Sequence, residues 1–354
     1  MEGGKCCLFV KSCAQNFKQK ARFLFSSFLL TVISSVFSPW VIADSFKPAI
    51  VYSSSNKFDL SFNETIFRNG IQKFNDLNSI KVYEFEPQFR SSLKKGLAEM
   101  IQAGYNPIIS VGFENADSTY VAAKNNPDTH FIIIDAVVDL PNAQSITFKE
   151  HEGSYLVGVL AALTSKSNTV GFIGGMKSSL ISKFSCGFAQ GVRQVNPNAI
   201  ILEDNIGRTM AAFDNPGKGS HLAFQQMKQG ADIIYAAAGN SGKGVFKAAR
   251  LKNQMVIGVD SNQNGLMPGY VLSSMVKNIG FATLQALQES QQGDWHSGSR
   301  ALGLKEGGVD WALDEHNRSL ISEETEQKVN KIKQQIIANE IQVHDFSSNN
   351  RCSI

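Results

Sequence analysis

The sequence predicts an α/β fold built as two lobes, and three observations carry that reading. The chain has 354 residues, long enough for two hydrophobic cores, since a single core usually stops growing below that size. Short apolar runs alternate with longer amphipathic ones, the pattern of parallel strands joined by crossover helices. The apolar runs also outnumber what one small open sheet needs. The clearest strand candidates are Pro48–Tyr52, Pro107–Val111, Phe131–Val137, Thr169–Ile173, Ile233–Ala238 and Met255–Val259. Several are rich in β-branched residues, as expected for strands covered on both faces.

Helical stretches fall between them. Phe62, Ile66, Ile71 and Phe74 recur near helical spacing, as do Leu93, Leu97, Met100 and Ile101, then Tyr155, Val159, Leu160 and Leu163. Residues 322–339 read as a long amphipathic helix carrying Val329, Ile332 and Ile336. A first changeover between lobes is expected near Lys149–Gly153. The first lobe would then take residues 46–150 with a return segment at about 274–304. The second would take 151–273 with a C-terminal segment at about 305–345, leaving 346–354 as a flexible polar tail.

Residues 1–43 read as a signal peptide. A basic region ends at Arg22, an apolar stretch runs from Phe23 to Phe37, and Val41 with Ala43 fits the small-residue rule at a cleavage site. The stretch is short and Ser-rich for a membrane span, an uncleaved inner-membrane anchor being the alternative. Lys5, Lys11, Lys18, Lys20 and Arg22 stand against Glu2 there, so removal takes the formal charge from +3 to −1. That balance leaves no basic body to argue for a nucleic-acid partner. Hydrophobic residues make up 43% and charged ones 18%, as in ordinary globular chains. Cys6, Cys7 and Cys13 lie in the removed segment, leaving Cys186 and Cys352. Two cysteines make no disulfide framework, and Cys186 within an apolar helical pattern reads as an inert buried thiol.

In open α/β sheets, ligands gather where strands end and helices begin. Loop 53–61 follows the first strand, and its Ser53, Ser54, Ser55, Asn56 and Asp59 can all hydrogen-bond. Phe62 and Asn63 then open a helix: an aromatic ring for stacking, or a core-facing phenylalanine behind a Ser/Asn turn. Asp260 ends an apolar strand, where a carboxylate is a helix cap or a bidentate acceptor for adjacent hydroxyls. Gly239-Asn240-Ser241-Gly242-Lys243-Gly244 permits close backbone approach. It is no phosphate loop, because Ala237 and Gly244 stand where that motif needs Gly and Ser or Thr. Gly171-Phe172-Ile173-Gly174-Gly175 lacks dinucleotide spacing. His151-Glu152 lacks the second histidine of a zinc helix, and Lys243 breaks a nucleophile elbow around Ser241. The scattered histidines suggest no metal site, and the chain is expected to need no cofactor and to be no enzyme.

Six segments resemble one family in order and spacing: Lys149-Glu150-His151-Glu152-Gly153-Ser154-Tyr155-Leu156-Val157-Gly158, Val170-Gly171-Phe172-Ile173-Gly174-Gly175, Phe213-Asp214-Asn215-Pro216-Gly217-Lys218-Gly219, Gly239-Asn240-Ser241-Gly242-Lys243-Gly244-Val245, Ile257-Gly258-Val259-Asp260-Ser261-Asn262-Gln263 and Ser273-Ser274-Met275-Val276-Lys277-Asn278. Over residues 46–345 the chain resembles the basic membrane protein family of bacterial solute-binding proteins, which includes purine nucleoside receptors of ABC importers. The resemblance implies the type I periplasmic binding protein fold, two doubly wound Rossmann-like lobes with a ligand cleft between them. It implies stacking rings at Phe62 and Phe213, sugar anchors at Asp260 and Lys277, and backbone contact at Gly258. Asp117, after Gly112-Phe113, resembles the acid that reads the base.

The implied function is binding of a purine nucleoside in the periplasm by lobe closure, with delivery to an inner-membrane ABC permease. A sensor without a transport role and a nucleoside-acting enzyme are the alternatives. This chain departs from the family pattern at Ser53 and Ser54, where nucleoside-binding members usually carry Asp and a small polar residue. Phe58-Asp59-Leu60 likewise replaces the usual Asp-Asp-Lys.

Overall fold

The computed structural model describes residues 46–54 and 56–352; the signal peptide expected over 1–43 lies outside them. The first lobe begins with β1 (Ala49–Val51), then α1 (Phe62–Ile66), which continues through a π-helical segment at Phe67–Gln72 into α2 (Lys73–Leu77). There follow β2 (Tyr83–Phe85), α3 (Leu93–Gln102), β3 (Ile108–Val111), α4 (Ala116–Asn125), β4 (Phe131–Ile134) and β5 (Ala143–Phe148).

The second lobe holds α5 (Glu150–Thr164), β6 (Thr169–Met176), α6 (Ser179–Val195), β7 (Ile200–Gly207), α7 (Pro216–Lys228), β8 (Ile233–Ala237), α8 (Gly242–Lys252), β9 (Met255–Asp260) and β10 (Val271–Lys277). The chain then returns as α9 (Ile279–Gln291) and β11 (Gly298–Leu302), and crosses back as β12 (Val309–Trp311) and α10 (Glu323–Ile337).

Each lobe is one six-stranded sheet, ordered β2-β1-β3-β4-β5-β11 and β7-β6-β8-β9-β10-β12. Pairing is parallel throughout except between β10 and β12. Both sheets are doubly wound: the winding reverses between β1 and β3 in one lobe and between β6 and β8 in the other. Those reversals open the crevices where loops can surround a ligand. Strands β1, β3, β4 and β8 are buried along their whole length, which is why they read as unbroken apolar runs.

The segment expected to return at about 274–304 divides. Ser274–Lys277 belong to β10 of the second sheet, whereas α9 packs on the α1–α2 helix and β11 joins the first sheet. Sequence patterning missed β2, β7, β11 and β12, which are short or exposed, and β5 and β10, which are buried but broken by polar residues such as Gln144, Ser145, Ser273 and Ser274. The tail expected to be flexible is held instead. Cys352 is disulfide-bonded to Cys186 across 166 residues, and the backbone of His344 exchanges hydrogen bonds with Gln190 at 2.9 and 3.0 Å.

Helix starts follow their caps. Ser178 Oγ accepts from the Ile181 amide at 3.2 Å to begin α6. Ser322 Oγ does the same for Thr325 at 3.1 Å, with Glu323, Glu324 and Glu326 in the first turn of α10. Helices α5 and α6 approach closely enough that glycine is required. A Cβ on Gly158 would strike the Phe188 carbonyl, and one on Gly191 the Tyr155 carbonyl. Because the obstacles are backbone, no rotamer change relieves them. Gly158→Ala and Gly191→Ala should each cost about 1–3 kcal/mol of stability, read as a lower denaturation midpoint with an unchanged denaturant slope.

Candidate functional site

Loops at the carboxyl ends of both sheets enclose one cavity, lined from the first lobe by Ser53, Asp59, Phe62, Glu114 and Asp135 and from the second by Phe184, Phe213, Gly239, Asp260 and Lys277, among others. Its space measures about 590 Å³ including the open mouth.

The first-lobe wall is built around Asp59. Its Oδ1 accepts the amides of Ser61 and Glu64 at 2.8 and 3.3 Å, and its Oδ2 accepts that of Asn63 at 3.1 Å. This carboxylate therefore caps α1, which frees the Ser61 hydroxyl from capping. Ser61 Oγ instead donates to Asp260 Oδ2 at 2.6 Å across the cleft. Leu60, forced into the left-handed region at φ 58°, presents its carbonyl to two second-lobe donors, Ser261 Oγ at 2.7 Å and Gln263 Nε2 at 2.8 Å. Phe62 follows immediately, so its ring is aimed at the cavity by a turn bonded to both lobes.

Lys277 ends β10 and is 1% exposed. Its ammonium lies 2.6 Å from Asp135 and 2.9 Å from Glu150, and Glu150 in turn meets Lys183 of α6 at 2.5 Å. The rings of Phe148, Phe62 and Phe184 surround the ammonium at 4.9, 5.4 and 5.8 Å from their centroids. Burial alone would lower the Lys277 pKa, but Asp135, Glu150 and Asp260 outweigh it and hold the amine protonated. Burial would raise Glu150, yet Lys277 and Lys183 keep its carboxyl below its ordinary value. Asp135 is pushed up by burial to about 6 despite Lys277. Asp260 is likewise raised by burial, with Lys277 and Ser61 opposing.

The second-lobe wall is mostly apolar: Leu180, Ile181, Phe184, Met210, Phe213, Ala237 and Val259. Phe213 ends a short turn, and its ring occupies space that a side chain at Gly175 would fill. Gly239, at φ 56°, lies beside Phe213: a Cβ there would sit 3.3 Å from the Phe213 carbonyl and 3.6 Å from its ring. Ser241 joins this wall together from behind, donating to the Ala212 carbonyl and accepting the Asn215 amide.

Of the residues singled out in the sequence, Ser53, Phe62, Phe213, Gly239, Asp260 and Lys277 meet at this cavity. Ser54 stands just behind, its amide bonded to Glu114 Oε1 at 3.1 Å. Asn63 is buried on α1, its amide nitrogen reaching the Asn56 carbonyl at 3.3 Å. Two placements correct the sequence reading. Asp117 is exposed in the first turn of α4; a helical turn at Phe113–Asn115 brings Glu114 to the cavity in its place. Gly258 lies inside β9, where a Cβ would collide with Gln263 and Ser274, so it serves packing beneath the site. Glu114, Asp135 and Glu150 were missed. Asp135 carried a signal: Ile134-Asp135 ends an apolar strand as Val259-Asp260 does, and both aspartates adopt left-handed φ, 66° and 63°.

A family model described as "ABC transporter substrate-binding protein PnrA-like" matches residues 47–347. The chain belongs to the Bmp/PnrA-like family of ABC-importer solute-binding proteins. Membership of this non-catalytic family assigns the Bmp chain to binding rather than to turnover. Among its relatives, the "ABC transporter nucleoside-binding protein BmpA" of Lactococcus lactis is 33% identical, covering 76% of this chain and 82% of that one. "Basic membrane protein A" of Borreliella burgdorferi is 31% identical over 80% of this chain and 83% of its own. An Aeropyrum pernix solute-binding protein of an ABC transporter has a crystal structure that superposes with a TM-score of 0.78 at 23% identity, covering 85% and 93%. The bilobed Bmp architecture is that of type I periplasmic binding proteins. Among the described residues, no helix is long and apolar enough to cross a membrane and no cluster of potential metal ligands occurs.

Two outcomes follow from the charges. Lys277→Ala leaves Asp135 and Glu150 buried against one another and should cost about 3–5 kcal/mol of stability by denaturant titration. Burial pushes Asp59 from 3.8 to about 7. Between those values the fold holds a proton that the unfolded chain has released. The contribution of Asp59 is therefore full below 3.8 and is lost as pH rises through about 7. Asp59→Asn should remove that slope, so the gap in thermal midpoint between variant and wild type changes steadily across this window.

Proposed function

We propose that the chain binds a purine nucleoside by closing its two lobes, and delivers it outside the cytoplasm to an inner-membrane ABC permease. One observation carries this reading: each lobe contributes an aromatic ring, Phe62 from the first and Phe213 from the second, to the cavity that Asp260 and Lys277 also line. Rings from opposite lobes can stack on a flat base only when the cleft is shut, which couples occupancy to closure. Asp260 can accept two adjacent hydroxyls at once, as a ribose presents them, while Lys277 donates beside it. The nucleoside-binding protein of Lactococcus lactis among its relatives points the same way.

The charge of the lining narrows the class. Asp59, Glu114, Asp135 and Asp260 face the cavity with Lys277 as their counter-charge, an excess of acid that favours hydrogen-bond donors and repels phosphate. The ligand is thus the free nucleoside rather than the nucleotide. With Ser53 and Ser54 in place of the family's usual Asp and small polar residue, Glu114 brings a carboxylate from outside that loop, held there by the Ser54 amide.

Isothermal titration of the purified protein with inosine, guanosine and adenosine tests the reading. At least one should bind saturably and be recovered unchanged, and its 5′-monophosphate should bind at least about tenfold more weakly. Phe62→Ala should weaken binding by about 10- to 100-fold, the worth of one base–ring stack. Absence of heat with all three nucleosides would sink the assignment. Restoration of nucleoside uptake by the wild-type chain, but not by Phe62→Ala, tests the transport role.

A further inference from the structure

The C-terminal segment after α10 runs back over the second lobe and is joined to it by a covalent bond, and none of its residues lines the ligand cavity. Ile341 and Val343 pack on the core. The next residues each seize one of two helices. The backbone of His344 donates to Gln190 Oε1 at 2.9 Å and accepts from Gln190 Nε2 at 3.0 Å. Asp345 approaches His151 at 3.7 Å, and Cys352 is bonded to Cys186. Gln190 and Cys186 belong to α6, and His151 to the first turn of α5.

Those anchor points stand beside the cavity's own parts. The first turns of α6 supply Leu180, Ile181 and Phe184 to the cavity wall. Lys183, three residues before Cys186, reaches Glu150. Glu150 is the chain neighbour of His151 and carries Lys277. At 1.5 Å per residue, Cys186 is about 3 Å along the helix axis from Phe184. The strap therefore holds the residues adjacent to both second-lobe partners of the Lys277 network. Buried Glu150 keeps its charge only while both lysines stay in place, so a small displacement of α6 is felt directly at the site.

We propose that residues 341–352 are a redox-conditional positioning strap, which sets α6 against α5 and so completes the ligand cavity only once Cys186 and Cys352 are joined. Joining them needs a disulfide donor of the thiol-exchange class. One cysteine thiolate attacks the donor's S–S bond and expels one donor thiolate. The other cysteine thiolate then resolves the mixed disulfide and releases the second. Two electrons pass to the donor, and the two cysteine protons pass to solvent or to the released thiolates. In a reducing compartment the strap is open, and in an oxidising one it closes. The receptor then binds more weakly where it is made than where it is exported.

The part of this proposal concerning affinity rests on the nucleoside reading, and the part concerning α6 does not; one experiment separates them. Hydrogen exchange and titration with inosine, guanosine and adenosine are run on the oxidised chain, on Cys352→Ser and on Gln190→Ala. Far-UV circular dichroism verifies that each is folded. Cys352→Ser should speed amide exchange across Ser179–Phe184 and weaken nucleoside binding about tenfold. Gln190→Ala, which keeps the covalent bond, should move both in the same direction by less. Faster exchange confined to 341–352, with affinity equal to that of the oxidised chain, overturns the proposal and leaves a mere stabilising staple. If the oxidised chain binds none of the three nucleosides while exchange in Ser179–Phe184 still responds, the strap stands and the ligand assignment falls.

Discussion

The ammonium of Lys277 is the group on which the rest of the site depends. It is fully enclosed, and a bare cation there would be prohibitively costly. Asp135 comes to it from the first lobe, while Glu150 comes from the start of the second. Neither acid would remain charged in such surroundings without the lysine, and Glu150 draws Lys183 in as a further counter-ion. Three elements of different sheets and helices are thereby required to end at one point. Phe62, Phe148 and Phe184 close around that point and keep water from it. The cavity is what remains when these demands are met.

Charge and apolar surface are divided unequally between the lobes. Acids predominate on the first-lobe wall, and aliphatic and aromatic side chains predominate on the second. A ligand with one hydrogen-bonding edge and one flat apolar face is the complement of that division. The acids are held in place by a helix start, a lysine, a hydroxyl or an amide.

Much of this was legible in the residues. Strand ends followed by polar loops singled out Asp260 and the 53–61 loop, and Phe62 stood out at a helix start with stacking and core roles both open; Phe213 and Lys277 entered only through the family resemblance. What escaped did so for identifiable reasons. Glu150 opens a helix and reads as a solvated charge until its two lysines, 33 and 127 residues further along, are folded onto it. Asp135 disappeared inside an apolar run that reads as strand to Val137, whereas β4 stops at Ile134. Asp117 was preferred to Glu114 on the family resemblance alone, which does not reveal the short turn at Phe113–Asn115 that brings Glu114 to the cavity. The union of Cys186 with Cys352 is a matter of tertiary proximity, which periodicity does not report.

The chain passes between lobes three times, after Phe148, after Lys277 and between Leu302 and Val309. Glu150 and Lys277 sit at two of these passages. Rotation about such a pivot moves nearby groups least and the distant rim most. Electrostatic cohesion is thus concentrated where the lever arm is short, and the contacts that must part at the mouth are light ones: a serine to Asp260, and two donors to the Leu60 carbonyl. Were the lobes to part about these passages, the light contacts would yield before the buried charges, as a book opens while its spine stays bound.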